Sequence, residues 1–241
     1  MLFNTKSVDS VHNRLPLALE IRYKCDIIMA CSEDKRGRIK MIKNYIFDFG
    51  NVLGQFYPEQ FTAHYVSDEE TIKFISNIVF DRLYWDKLDE GTMTDEEAKE
   101  LFCTRLPDEL KEVSCKVYDN WVNNLIPVPG MEKLVQDLHK NNKKIYLLSN
   151  ISTTFQNTCH NIEWMKDLFG CFDGFVFSGE IGLVKPSAEI FEHLLKKYNL
   201  NREECLFIDD RALNIEGAKN VGIKGYLFDG DADKLREYIE L

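Results

Sequence analysis

Three apolar runs in this 241-residue chain end in polar side chains that could act together on one small molecule. Tyr45-Ile46-Phe47 leads into Asp48, Ile145-Tyr146-Leu147-Leu148 into Ser149-Asn150, and Leu206-Phe207-Ile208 into Asp209-Asp210. A fourth segment, Gly182-Leu183-Val184-Lys185-Pro186, places a lysine just before a helical pattern. Two carboxylate clusters can hold Mg2+, a hard cation that prefers oxygen ligands and keeps several waters. The metal and a lysine together neutralise a phosphoryl group, and a carboxylate beside them can then attack phosphorus. The Ser149 hydroxyl and the Asn150 backbone N–H can bind a phosphoryl oxygen. Positioning and charge neutralisation are most of what phosphoryl transfer requires.

Taken alone, each residue has a plainer reading. Asp48 could be a strand-end carboxylate satisfied by backbone N–H groups, Asp209-Asp210 a helix-capping pair, Lys185 a surface lysine beside a turn proline, and Ser149 a helix cap. Asn214 could stabilise a helix start without approaching a metal. Two adjacent carboxylates repel, however, which favours a cation shared with Asp48. Phe80, Tyr84, Trp85 and Trp121 read as the core of a helical segment rather than as a substrate box. His64, His139, His160 and His193 show no ligand spacing.

Asp48, Ser149, Lys185 and Asp209 are separated by 101, 36 and 24 residues. They can meet only if their strands lie side by side with carboxyl ends together, where open parallel sheets form their sites. The rest of the pattern supplies that arrangement. From about residue 58 to 125 the chain reads as helices: Asp68 caps a segment carrying Ile72, Phe74, Ile75 and Ile78, Thr94 opens another, and a third runs from Asp108 through Trp121 to Leu125. No strand-like run interrupts this region. From Pro129 helix and strand alternate, with further strands at Phe175-Val176-Phe177 and Tyr226-Leu227-Phe228 and a last helix opened by Asp231. Alternation of this kind predicts a doubly wound, Rossmann-like α/β fold: a parallel sheet with helices on both faces. The helical block falls after the first strand, so it is expected as an inserted cap over the sheet. The core is expected at 41–56 and 127–241, and the cap at 57–126.

Composition narrows the partners. The formal charge is −10, and an acidic chain repels phosphate backbones, which excludes nucleic acid as a partner. No apolar run approaches the roughly 18 residues of a membrane span, so no membrane partner is expected. The seven Cys are odd in number and lack CxxC spacing, and so read as free thiols in a reducing cytoplasm. The first forty residues carry eight Lys/Arg against five Asp/Glu and no sustained period. They read as a non-domain extension, with Ile27, Ile28 and Met29 as the residues that could pack on a core, and Met41 as an alternative start.

Phe47-Asp48-Phe49-Gly50-Asn51-Val52-Leu53, Leu147-Leu148-Ser149-Asn150, Gly182-Leu183-Val184-Lys185-Pro186 and Phe207-Ile208-Asp209-Asp210 with Asn214 resemble the four ordered motifs of the haloacid dehalogenase superfamily. Leu88-Asp89-Glu90-Gly91-Thr92-Met93-Thr94 resembles a cap segment of its helical-cap branch, which includes sugar-1-phosphate phosphatases and the phosphatase domain of soluble epoxide hydrolases. The resemblance implies Asp48 as nucleophile and metal ligand, Gly50 as a carbonyl ligand, and Ser149, Asn150 and Lys185 as the phosphate grip. It implies Asp210 as a direct Mg2+ ligand and Asp209 as one acting through water or by orienting another ligand. The implied activity is Mg2+-dependent hydrolysis of a small phosphorylated metabolite by a monomer or homodimer. Many relatives carry a second Asp two residues after the nucleophile, where this chain has Gly50. General acid help of that kind is worth about 10²–10⁴-fold, so its absence favours esters whose leaving group is already a weak base, such as sugar-1-phosphates. Two rival expectations stay open: a metal-free 2-haloacid dehalogenase, and a catalytically silent protein on the same fold.

Overall fold

A computed structural model describes residues 42–241. The expectations for residues 1–40, including the apolar trio at 27–29, lie outside the described residues. The first strand, β1 (Asn44–Phe47), is buried along its whole length, as a central strand covered on both faces must be. The chain then turns through β2 (Gly54–Gln55) into five helices: α1 (Pro58–Ala63), α2 (Glu69–Val79), α3 (Arg82–Asp89), α4 (Asp95–Cys103) and α5 (Asp108–Asn120). It returns through β3 (Ile126–Pro127) to α6 (Met131–Lys140) and β4 (Lys144–Ser149). Two short helices follow, α7 (Thr153–Thr158) and α8 (Glu163–Phe169), then β5 (Gly174–Phe177), α9 (Ser178–Ile181) and α10 (Ala188–Lys197). The last elements are β6 (Cys205–Asp209), α11 (Ala212–Asn220), β7 (Lys224–Leu227) and α12 (Ala232–Tyr238).

The five-stranded sheet runs in the order β5-β4-β1-β6-β7, with each neighbouring pair parallel. Side-chain alternation sorts its two faces. Tyr45, Phe47, Ile145, Leu147, Leu206 and Ile208 join one core cluster, and Ile46, Tyr146, Leu148, Cys205 and Phe207 the other. In register Phe47 faces Leu147 on one side and Ile208 on the other, so three strand ends come level.

Some elements differ from the sequence expectation. The inserted region holds five helices, not the three its pattern marks: α1 has six residues, too few to show a period, and α3 is buried only through Tyr84, Trp85 and Leu88. The helices between β4 and β5, of six and seven residues, are also short, and neither makes a side-chain cap hydrogen bond. β7 lies two residues earlier than its aromatics suggest at its start. A two-stranded antiparallel ribbon also joins the exits of the helical block, pairing Gly54 with Pro127 and Gln55 with Ile126. Val128 N–H extends it by donating to Leu53 O at 2.8 Å.

The helical block is fastened to the sheet domain at two further points. Ser178 Oγ donates to the backbone oxygen of Asp89 at 2.5 Å. Asp95, next to the Thr94–Glu97 capping box of α4, accepts hydrogen bonds from Tyr118 in α5 and Thr154 in α7.

Candidate active site

Asp48 follows β1 directly, and its backbone N–H continues the ladder to Ile208 O at 2.9 Å. Its side chain is buried, and Oδ1 accepts from Phe49 N–H at 2.7 Å and from Ser149 Oγ at 2.8 Å. Lys185 Nζ lies 2.8 Å from the same oxygen and 2.7 Å from Asp209 Oδ2. Burial pushes the Asp48 carboxyl up to about 7; Lys185 pulls against the rise and the charge of Asp209 adds to it. Burial alone would depress Lys185, but Asp48 and Asp209 outweigh it and hold the ammonium above its ordinary range.

The lysine is held there by Asn150. Its Nδ2 donates to Lys185 O at 2.9 Å and its Oδ1 accepts from Lys185 N–H at 2.7 Å, so the amide clamps both backbone groups of one residue. The Asn150 side-chain amide is thereby engaged at both its atoms. Asp209 is fully buried and saturated: its oxygens accept from Arg211 N–H, from Asn214 Nδ2, which donates to both of them at 3.0 Å, and from Lys185. Asn214 therefore braces Asp209 rather than only starting α11. Asp210 turns outward, with Asn51 Nδ2 at 3.5 Å from Oδ2, and burial and the neighbouring Asp209 charge raise its carboxyl. Asn51 holds the loop in a left-handed conformation, φ 54°, which asparagine tolerates.

One oxygen from each of Asp48, Asp209 and Asp210 falls within 4.8 Å of the others. Three carboxylates this close, with raised carboxyls among them, are a donor set suited to a hard dication.

A cavity of about 160 Å³ opens over this cluster and is shared between the strand ends and the helical block. Every sequence-marked site residue except Asp209 lines it: Asp48, Gly50, Ser149, Asn150, Lys185 and Asp210. The opposite wall is aromatic. Phe56, Phe80, Trp85 and Trp121 form one ring cluster with centroids 5.1–5.8 Å apart. Phe80, Trp85 and Trp121 thus serve both as helical core and as cavity wall, where the sequence reading expects core alone; Tyr84 stays in the core.

Sequence reasoning missed Arg82, Asp89 and Arg211, which also line the cavity. Arg211 had a signal in plain view, following Asp209-Asp210 directly. Asp89 sits inside the Leu88–Thr94 stretch, but nothing local shows that this end of α3 turns toward Asp48.

Comparison with known proteins agrees with this geometry. A profile of haloacid dehalogenase-like hydrolases matches residues 42–222. A sesquiterpene phosphatase of Aspergillus oryzae is 25% identical over 183 residues, covering 76% of this chain and 88% of the relative. A D-ribitol-5-phosphate phosphatase of Bacteroides thetaiotaomicron is 26% identical over 212 residues, covering 82% and 97%. Among solved structures, a haloacid dehalogenase-family enzyme of Bacteroides thetaiotaomicron in complex with magnesium and inorganic phosphate superposes with a TM-score of 0.62 at 22% identity, covering 80% of this chain and 98% of that one. The L-2-haloacid dehalogenase of Xanthobacter autotrophicus superposes at 0.56 and 20% identity, covering 77% and 76%. At these identities the two structures speak for a common fold, and the profile, which spans most of the chain including all four motifs, speaks for descent: the chain belongs to the haloacid dehalogenase-like hydrolases.

Proposed function

We infer that this hydrolase is a phosphatase, which cleaves a small phosphomonoester by passing the phosphoryl group through Asp48 with Mg2+ bound beside it. The observation that carries the reading is the convergence of a buried carboxylate, a lysine and an acidic trio at one cavity. The relatives named as phosphatases, and the fold neighbour crystallised with magnesium and phosphate, support it.

Asp48, Asp210 and the carbonyl of Gly50 would hold Mg2+, with Asp209 contributing through water or by fixing Lys185 and Asn214. Magnesium, when bound, neutralises phosphoryl oxygens so that an anionic carboxylate can approach phosphorus. Lys185 favours the ionised form of Asp48 against its burial and shares that neutralisation. The Ser149 hydroxyl and the Asn150 backbone N–H orient the phosphoryl group in line with Asp48. The 57–126 region acts as the cap that excludes bulk water, and its aromatic wall receives the ester's organic part. The free thiols suit a cytoplasmic enzyme working as a monomer or homodimer. The dehalogenase alternative is disfavoured by the carboxylate trio, because halide departs without a proton and needs no cation cluster.

The test is turnover of p-nitrophenyl phosphate. Activity should require Mg2+, vanish in excess EDTA, and vanish in Asp48→Asn while the melting curve persists. Activity that survives EDTA, or release of halide from 2-chloropropionate in place of phosphate turnover, would overturn the reading.

A further inference from the structure

Transfer of a phosphoryl group to Asp48 drives negative charge onto the departing oxygen, and an alkoxide leaves poorly unless a neighbour hands it a proton. Gly50, two residues past Asp48, offers no side chain, although a Cβ built there would meet nothing within 4 Å. The donor has to come from another wall of the cavity. The Ser149 hydroxyl is spent on Asp48. The Lys185 ammonium is bound between two carboxylates, and Asp210 belongs to the acidic trio. Arg82 and Arg211 do not release protons near neutrality. Asp89 is the remaining acid in the lining.

Asp89 is the last residue of α3, half-buried, and no hydrogen bond among the described residues reaches its carboxylate. Its main chain is nonetheless fixed. Ser178 Oγ grips its carbonyl at 2.5 Å, and Gly91, at φ +67°, lies so near α9 that a Cβ there would fall 2.4 Å from Gly179 O. The side chain is thus anchored at its base and unpartnered at its tip, facing the cavity that Asp48 faces. We propose that Asp89, supplied by the helical block, is the general acid–base that the Gly50 position lacks. This assignment rests on the phosphatase reading above.

The steps balance. The Asp48 carboxylate bonds to phosphorus as the P–O bond to the organic group breaks, and the departing oxygen takes the Asp89 proton to leave as an alcohol. Water then adds to the phosphorus; its proton passes to the Asp89 carboxylate, the P–O bond to Asp48 breaks, and inorganic phosphate leaves with both carboxyl groups restored. The groups around Asp89 suit this alternation. Burial raises its carboxyl to about 7, Arg82 on its own helix opposes the rise, Asp86 and Asp48 add to it, and Lys185 opposes it from the sheet side; Asp210 and Arg211 line the same cavity. Both protonation states are therefore populated near neutral pH.

The experiment compares p-nitrophenyl phosphate, whose leaving group needs no proton, with benzyl phosphate, whose alkoxide does. Asp89→Asn should lower kcat/KM for benzyl phosphate by about 10²–10⁴-fold and that for p-nitrophenyl phosphate by no more than about 10-fold. Its melting temperature should not fall: a carboxyl raised above its unfolded value loses stability as pH rises through about 7, and the amide has no such loss. Adding Gly50→Asp to that variant should restore benzyl phosphate turnover by at least about 10-fold. The wild type gives a readout needing no variant: the ratio of benzyl to p-nitrophenyl kcat/KM falls as pH rises through the Asp89 titration. Equal losses on both esters, or a ratio flat with pH, overturn the assignment alone. A wild type inactive on both esters overturns the phosphatase reading and this assignment with it.

Discussion

Lys185 neutralises two buried carboxylates at once, Asp48 at 2.8 Å and Asp209 at 2.7 Å. Breaking a buried ion pair from one side leaves charge uncompensated, at a cost of about 3–5 kcal/mol. Lys185→Met should therefore melt well below wild type in EDTA, by roughly 2–4 °C per kcal/mol. Because the trio then lacks the ammonium that bridges Asp48 and Asp209, Mg2+ should raise the variant's melting temperature more than the wild type's. Equal magnesium shifts in the two proteins would contradict the charge accounting. Asp48, Ser149 and Asp209 were legible in the sequence because each sits at the end of an apolar run, where the sheet lines them up, and Lys185 because it stands just before a helical pattern. Asp89, Arg82 and the aromatic wall were not, because their distance to Asp48 depends on how α3 folds back, which no local spacing encodes. The bare Gly50 alone favours sugar-1-phosphates over 6-phosphates; an acid at Asp89 removes the reason for that bias.

At the level of elements, the segments with long periods or a side-chain cap were the readable ones: α2 behind Asp68, α4 behind Thr94, α6 and α10. Helices of six or seven residues, such as α1, α7 and α8, bury too few side chains to stamp a pattern. The turn after α3 matters beyond its length. Gly91→Ala places a methyl group in the backbone oxygen of Gly179 at a positive φ, which should cost more than about 1 kcal/mol. The same shift moves Asp89, so benzyl phosphate turnover should fall further than p-nitrophenyl phosphate turnover at a temperature where the variant remains folded. Unchanged melting and unchanged selectivity would show that α3 and α9 yield without moving Asp89.

For the whole molecule, the formal charge is −10, and no helix among the described residues is long and apolar enough to cross a membrane. The parallel, helix-covered sheet was legible in the alternation of elements, whereas its strand order, β5-β4-β1-β6-β7, comes from the structure, because no local pattern encodes which strands are neighbours. Every residue assigned to the site lies between Asp48 and Asn214. A chain starting at Met41 should accordingly keep full kcat and a melting temperature within error of the full chain; loss of solubility or a drop of several degrees would make residues 1–40 structural.

The ribbon pairing Gly54 with Pro127 and Gln55 with Ile126 gives the fold a seam. The chain leaves the sheet and comes back to it at adjoining rungs, so from the sheet's side the 70-residue excursion between Gln55 and Ile126 closes like a hairpin turn, and loop-closure entropy rises only slowly with what is spliced in. The five-helix segment is in that sense a cartridge. Exchanging it at the seam would leave strand register, Ser149, Asn150 and Lys185 in place while changing both the aromatic wall of the cavity and Asp89, so that, with Asp89 as the acid proposed above, the choice of substrate and the supply of the proton would travel in a single heritable unit.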